Sequence, residues 1–402
     1  MNVDVLIVGA GTSGLVAGIA SAKNYRGTVC VLERNPEPGC KFLLSGSGQC
    51  NVTHGGSITD FLNHYGDTKK ARFVQPALLA FDNIAVTEFF EQRGVPILER
   101  EDGKIFPKSL KSEDLLKVLV AELRKQGGIL QTETVVENIT KTDNGFLLAT
   151  NRGEFCTKKL ILATGGQSYP STGSRGDGFR FAERLGHHLI EPKPVLTPVI
   201  VRNYPFAGLS GISFWSSKIE VYRNGKRLKS GRGDILLTHR GLSGPGILDL
   251  SRDIEPDDEL RISIIKPEEF TPEVFTGKKT LKNALQRFDI AERFLVQILD
   301  SFHIAPDQPA TETNRETRKK IELALTCYPF IVERLGGWNE AMATGGGVVL
   351  DEVNRKTMES RIVPDLYFCG ELLDIDGNTG GYNIQFALSS GFLAGNSLQH
   401  HS

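Results

Sequence analysis

The chain holds 402 residues, which fits two or three domains and exceeds what a single small binding module needs. Lys and Arg number 47 against 48 Asp and Glu, leaving a formal charge of -1 and no global drive toward nucleic acid or an anionic membrane. A small-molecule substrate is therefore expected, with no nucleic-acid and no membrane partner; composition says nothing of oligomeric state. Hydrophobic residues at 40% and charged residues at 24% exclude a disordered chain, while 43 glycines form a surplus whose placement matters.

In chain order, Val3 to Val8 reads as a strand buried on both faces, Gly14 to Ala22 as a helix pressed against a sheet, and Thr28 to Leu32 as a second strand. That is a βαβ unit rather than a leader or a span, because Asp4 and four glycines interrupt its apolar run and no basic segment precedes it. With six scattered cysteines, no CxxC pair and no metal-ligand spacing, the expectation is a cytoplasmic protein with reduced thiols and no metal. Pro76 to Gly94 and Ser112 to Gly127 show helical spacing, with Ser112 as N-cap, and Lys159 to Ala163 reads as another buried strand. After Glu191-Pro192-Lys193-Pro194 the pattern turns to alternating segments, Lys218 to Tyr222 and Leu260 to Ile265, as in an antiparallel β domain. Leu281 to Leu299 and Thr317 to Leu325 read as helices of a small lobe; Leu366 to Glu371 reads as a strand running into a turn, with a helix from about Tyr382.

Four glycine clusters carry the chemistry. Gly9-Ala10-Gly11-Thr12-Ser13-Gly14 fits GxGxxG between a strand and a helix, and Glu33, followed by Arg34, closes the second strand. There the first glycine makes the turn, the second admits a pyrophosphate, the third lets helix and strand pack, and the acid meets ribose hydroxyls. The second cluster runs from Gly39 through Lys41, Ser45, Gly46, Ser47, Gly48, Gln49, Cys50 and Asn51, a loop suited to pass under a flat ligand with Lys41 placed for a phosphate. The third is Ala163-Thr164-Gly165-Gly166. The fourth, Gly370-Glu371 through Asp374, Gly377, Gly381, Tyr382, Asn383, Ile384 and Gln385, brings acids and glycines into a helix start.

Together these clusters, with Ala163 through Gly178, Thr238-His239-Arg240-Gly241-Leu242-Ser243-Gly244-Pro245 and Thr344-Gly345-Gly346-Gly347-Val348, resemble the BaiN/YhiN-like family of NAD(P)/FAD-dependent oxidoreductases, the aminoacetone-oxidase-type flavoproteins. Gln49 departs from the usually basic residue at its position. The resemblance implies an α/β FAD/NAD(P)-binding Rossmann-like domain from residues 1–192 and 342–402, an inserted β-barrel from 193–268 and 326–341 that covers the flavin ring, and a helical subdomain over 269–325. It also implies that Gly9, Gly11 and Gly14 hold the pyrophosphate, Glu33 the ribose, Lys41 the phosphates or adenosine, and the Val136 backbone the adenine. Gly370 and Glu371 would lie by the ribityl phosphate, and the Asn383 and Ile384 N–H groups by the flavin pyrimidine.

Substrate-side candidates are Cys50, Tyr169, His239 and Tyr382. His239 reads as a general acid or base or as a packed turn histidine, and Cys50 as a redox thiol or a buried small residue. Because no second GxGxxG appears, NAD(P)H is expected only as a transient reductant of FAD. The leading expectation is reduction of a conjugated C=C or similar acceptor. The alternatives are an oxidase of a small amine such as aminoacetone using O2, and a non-catalytic FAD sensor or RNA-associated flavoprotein, for which the basic run Arg223 to Arg232 is the relevant feature.

Overall fold

In the computed structural model, residues 1–398 are described; the last four positions of the expected 342–402 segment lie outside them. The chain divides into one unit of Met1–Val195 with Met342–Ser402 and another of Leu196–Ala341.

The first unit is built on a sheet whose parallel strands are continuous, buried hydrophobic sequence. Strand β1 (Asn2–Val8) lies between β2 (Val29–Leu32) and the strand Gly153–Leu162, with Ile129–Gln131 outside β2 and Leu366–Phe368 on the far side of Gly153–Leu162. The register aligns Val8 with Leu32 and Leu162, and Leu162 with Phe368, so four strands end at one edge. The early half of Gly153–Leu162 turns instead into an antiparallel meander with Gly145–Thr150 and Val136–Thr142.

Helix α1 (Thr12–Asn24) returns across the sheet, and Tyr382–Asn396 runs beside it. A Cβ at Gly391 would drive into the Ser13 carbonyl and one at Gly395 into that of Ala17, so only glycines permit this approach. Because both contact positions advance together along the chain, the two helices are parallel.

Local expectations hold with informative departures. The helix expected to begin at Pro76 starts at Thr68, ends at Ala80, and is followed by Asn83–Glu91, because the Asp82 carboxylate accepts the Ala85 N–H at 2.7 Å and starts a new helix. Ser112 does not cap its helix. It is the first helical residue, with its hydroxyl drawn to the Leu43 carbonyl at 3.1 Å. Part of the expected loop after Gly39 is helical over Cys40–Leu44.

The second unit is a closed barrel of Val199–Val201, Gly241–Ser243, Lys226–Leu237, Ser213–Arg223, Glu259–Ile262 and Tyr328–Leu335 in that order. Helices Leu281–Leu285, Glu292–Ser301 and Arg315–Thr326 share its core, where Phe206, Phe214 and Phe294 cluster with ring centroids 4.8–5.0 Å apart along Phe206–Phe294–Phe214. The span expected as one helix from Leu281 to Leu299 breaks where Asp289 turns left-handed at φ 53°.

Candidate cofactor site

Ligands of open α/β sheets sit beyond the carboxyl ends of the strands, and that edge is where the glycine clusters converge. Gly9 follows β1 with φ 104°, and its N–H donates to the Leu32 carbonyl at 2.8 Å. A Cβ there would stand 2.5 Å from the Ala163 carbonyl oxygen, and one at Gly14 would strike the Gly9 carbonyl. Gly11 is different, since a Cβ at that position meets nothing within 4 Å. Two glycines are thus consumed by packing and the middle one faces open space at the start of α1, where no side chain caps the helix and Thr12, Ser13 and Gly14 form the first turn. An uncapped helix N-terminus with that cradle suits a pyrophosphate, so the residues present fit the dinucleotide FAD.

Glu33 is buried at the end of β2. Its carboxylate accepts the Ala10 and Asn35 N–H groups, each at 2.9 Å, and burial raises its pKa against those bonds and the Arg34 charge. Arg34 pairs with Asp177 and donates to the Gly173 carbonyl at 3.2 Å, which ties β2 to the 173–177 turn. The Thr134 N–H donates to the Glu33 carbonyl at 2.8 Å, bringing Val136, the first residue of its strand, into the same neighbourhood.

Lys41 and Glu371, 330 positions apart, are in direct contact at 2.5 Å. Glu371 also accepts the Thr344 N–H at 2.7 Å, the Ser168 hydroxyl at 3.2 Å and the Gly166 N–H at 3.3 Å, so one carboxylate joins four segments. Lys41 is therefore already charge-paired. Of the third cluster, Ala163 is buried, Gly165 is left-handed at φ 71°, and the Thr164 hydroxyl is buried against Gly178 without a hydrogen-bond partner, leaving its backbone as the group it can offer.

In the second cluster Gly46, Ser47, Gly48 and Cys50 all have positive φ. The Ser45 hydroxyl donates to the Phe42 carbonyl at 2.6 Å, and the Asn51 side chain accepts the Ile105 N–H at 3.2 Å. Cys50 is fully buried and burial pushes its thiol up to about 12, so it is a protonated packing group at neutral pH. Gln49 accepts from the Arg100 guanidinium at 3.0 Å.

The fourth cluster forms a braced loop at the start of Tyr382–Asn396. The Asn383 amide accepts the Gly377 N–H at 2.8 Å and donates back to the Gly377 carbonyl at 2.9 Å, while Gly370 donates to Ser390 Oγ at 3.0 Å. Gly381 has φ 101° against Thr53, and Ile384 packs on the core edge. Lys70 bonds Asp374 at 2.8 Å and Asp376 at 2.9 Å; burial alone would lower its pKa, and the two carboxylates reverse this and raise it. Tyr382 stacks on His64 at 4.0 Å and on His54 at 5.3 Å between ring centroids, and Tyr65 donates its hydroxyl to the Tyr382 carbonyl at 2.8 Å. Nothing in the local sequence singles out Lys70, His54 and His64. Their partners lie near residues 374–382, about 300 positions on, and no local pattern marks such pairs.

Tyr169 is half-buried and left-handed at φ 52°, opening the 170–172 turn. His239 belongs to the barrel unit, exposed in a turn where Thr238 Oγ1 accepts the Gly241 N–H at 3.1 Å. The basic run Arg223 to Arg232 forms a hairpin of that unit and is largely neutralised: Arg223 pairs with Asp258 at 2.8 Å and Glu255 at 3.0 Å, Arg227 with Glu220 at 2.9 Å, and Lys229 with Asp253.

A Rossmann-type sheet with a glycine turn at the start of α1, a buried acid at the end of β2 and a second glycine-led helix start fits an FAD-dependent oxidoreductase. The model of the HI0933-like protein Rossmann domain matches residues 3–397, and the chain belongs to that family. It is 30% identical to a 3-dehydro-bile acid delta(4,6)-reductase of Clostridium scindens, over 97% of each chain. It is also 30% identical to a ribosomal RNA dihydrouridine synthase of Haemophilus influenzae, over 98% of each. Among solved structures it shares its fold with a 3-ketosteroid delta1-dehydrogenase of Sterolibacterium denitrificans, with TM-score 0.52, 12% identity, and 98% and 99% of the two chains covered. Among the described residues no helix is long and apolar enough to cross a membrane.

Proposed function

We propose that this protein reduces a C=C bond conjugated to a carbonyl, using a nicotinamide nucleotide as the electron source. The observation that carries the reading is the stagger of two parallel helices. Ser13 is the second residue of α1 and meets Gly391, the tenth residue of Tyr382–Asn396. The later helix therefore starts eight residues, about 12 Å at 1.5 Å per residue, ahead of α1. Two uncapped N-termini offset in this way suit the pyrophosphate and the flavin ring of one extended FAD.

Bound there, FAD supplies hydride transfer. The chain's part is to bind and orient: the Gly11 cradle takes the pyrophosphate, Glu33 the ribose, and the Asn383 brace fixes the loop ahead of the helix that would face the ring. Both named relatives are named for adding hydrogen across such a bond, one in a steroid and one in a uracil ring, which supports the reaction class. Those names also favour a second reading in which the acceptor is a uridine of ribosomal RNA.

The test is anaerobic mixing of the purified flavoprotein with NADPH or NADH, followed by a steroid 4-en-3-one, uridine-containing ribosomal RNA, or no acceptor. Flavin bleaching by either nucleotide and reoxidation by an enone support the proposal, and reoxidation only by RNA selects the second reading. Failure of both nucleotides to bleach the flavin overturns the donor, and peroxide formed from aminoacetone would point to an oxidase.

A further inference from the structure

We propose that the dinucleotide-binding unit carries a second site, for a phosphate-bearing nucleotide, in a depression of about 610 Å3 lined by helix Thr68–Ala80 and residues of the 350–361 segment. Phe73, Leu350 and Val353, nearly covered, underlie it, and Lys69, Arg72, Arg355 and Arg361 supply its charge, against the single acid Asp351.

The placement of these cations runs against local physics. Lys69, Lys70 and Arg72 crowd the start of a helix whose one acid there is the N-cap Asp67, and the macrodipole disfavours positive charge at that end. Lys70 is answered by Asp374 and Asp376, and Lys69 by Asp351 at 2.7 Å. Arg72 has no carboxylate partner among the described residues. Nor do Arg355, whose Nη1 donates to the Arg72 carbonyl at 2.9 Å, and Arg361, whose Nε reaches the Val353 carbonyl at 3.4 Å.

Three guanidiniums without a direct carboxylate partner around one depression are complementary to a phosphate, which their planar forks bind in bidentate fashion. The planar guanidiniums also offer faces on which a base can stack, and the volume falls within the usual range of small-molecule sites. The chain has no second GxGxxG segment, and these side chains give a phosphate ligand other than FAD a hold of a different kind. The inference goes beyond the reductase reading and assumes nothing about the electron donor.

The experiment is calorimetric titration of the FAD-loaded protein, its own adenosine site filled, with adenosine 2′,5′-bisphosphate, adenosine and a short single-stranded RNA. The bisphosphate should bind in a salt-sensitive manner and adenosine at least about tenfold more weakly. Arg72→Gln/Arg361→Gln should weaken the bisphosphate about tenfold or more, with flavin absorbance and thermal midpoint unchanged, whereas Arg124→Gln on a distant helix should have no effect. No binding of the bisphosphate, or binding indifferent to the double substitution, overturns the proposal. Binding of RNA alone, lost in the double variant, overturns it in favour of a nucleic-acid surface.

Discussion

At the scale of single residues, the three glycines of the first cluster do different work, and substitution separates them. Gly14→Ala forces a methyl into the Gly9 carbonyl and should cost about 3 kcal/mol of stability. Gly11→Ala meets open space at φ -75° and should leave the apoprotein within about 1 kcal/mol of wild type, while FAD retention falls on the order of tenfold. Denaturant unfolding of the apoproteins and the 450 nm absorbance of the purified holoproteins check both. Gly11→Ala that keeps its flavin would refute the cradle assignment.

Histidines set a pH dependence at the same scale. Burial lowers His64 and His187 below the ordinary imidazole value of 6.5, outweighing Asp60 for the first and Glu352 for the second. As pH falls, the unfolded chain takes up these protons first. Their contribution is therefore present above about pH 6.5 and lost as pH drops through the folded values. His187 lies between Glu352 at 3.1 Å and Ser360 at 2.9 Å with no exposed side-chain surface. Unfolding free energy measured from pH 7.5 to 5 should decline, and His187→Gln should decline less steeply; equal slopes would show that this imidazole does not contribute.

At the scale of elements, the loop before Tyr382–Asn396 is held by an ion cluster as well as by the Asn383 brace. Lys70 is four-fifths covered and binds two carboxylates of that loop. Lys70→Met removes the ammonium that both Asp374 and Asp376 bind, which should cost about 2 kcal/mol. Urea unfolding gives the loss, and Lys70→Met/Asp376→Asn should recover part of it, because the like-charge pair is then gone. A fully additive double variant would show that the three groups act separately.

At the scale of the whole molecule, two units each enclose a core of their own, one around the mixed sheet and one inside the barrel with its helices. FAD binds the first in the proposed scheme. Free FAD at a hundred times its Kd should stabilise that unit by about 2.7 kcal/mol. Differential scanning calorimetry with and without added FAD, together with hydrogen exchange to assign the transition, should show added protection at 9–14 and 377–384. Protection confined to residues 196–341 would contradict the assignment.

Much of this was legible in the sequence because it is local. β1, the GxGxxG turn, α1, β2 and Glu33 are contiguous, and each step follows from hydrophobic period, positive φ or helix-end chemistry. Helix limits failed where a side chain chose a distant or downstream partner, as Ser112 chose Leu43 and Asp82 chose Ala85. The sequence favours Cys50 as a buried small residue over a redox thiol, but only the fold shows it fully buried, since exposure is not written in local sequence. The sequence by itself thus determined the dinucleotide fold and the close packing that Gly9 and Gly14 permit. Only the tertiary structure decided that Lys41 is answered by Glu371, that Lys70 holds the last loop, that the basic hairpin is neutralised while three arginines elsewhere are not, and that two helices stand parallel with a 12 Å stagger. The reason is physical: propensity and turn geometry act between near neighbours, whereas charge pairing and helix contact join residues some 300 positions apart.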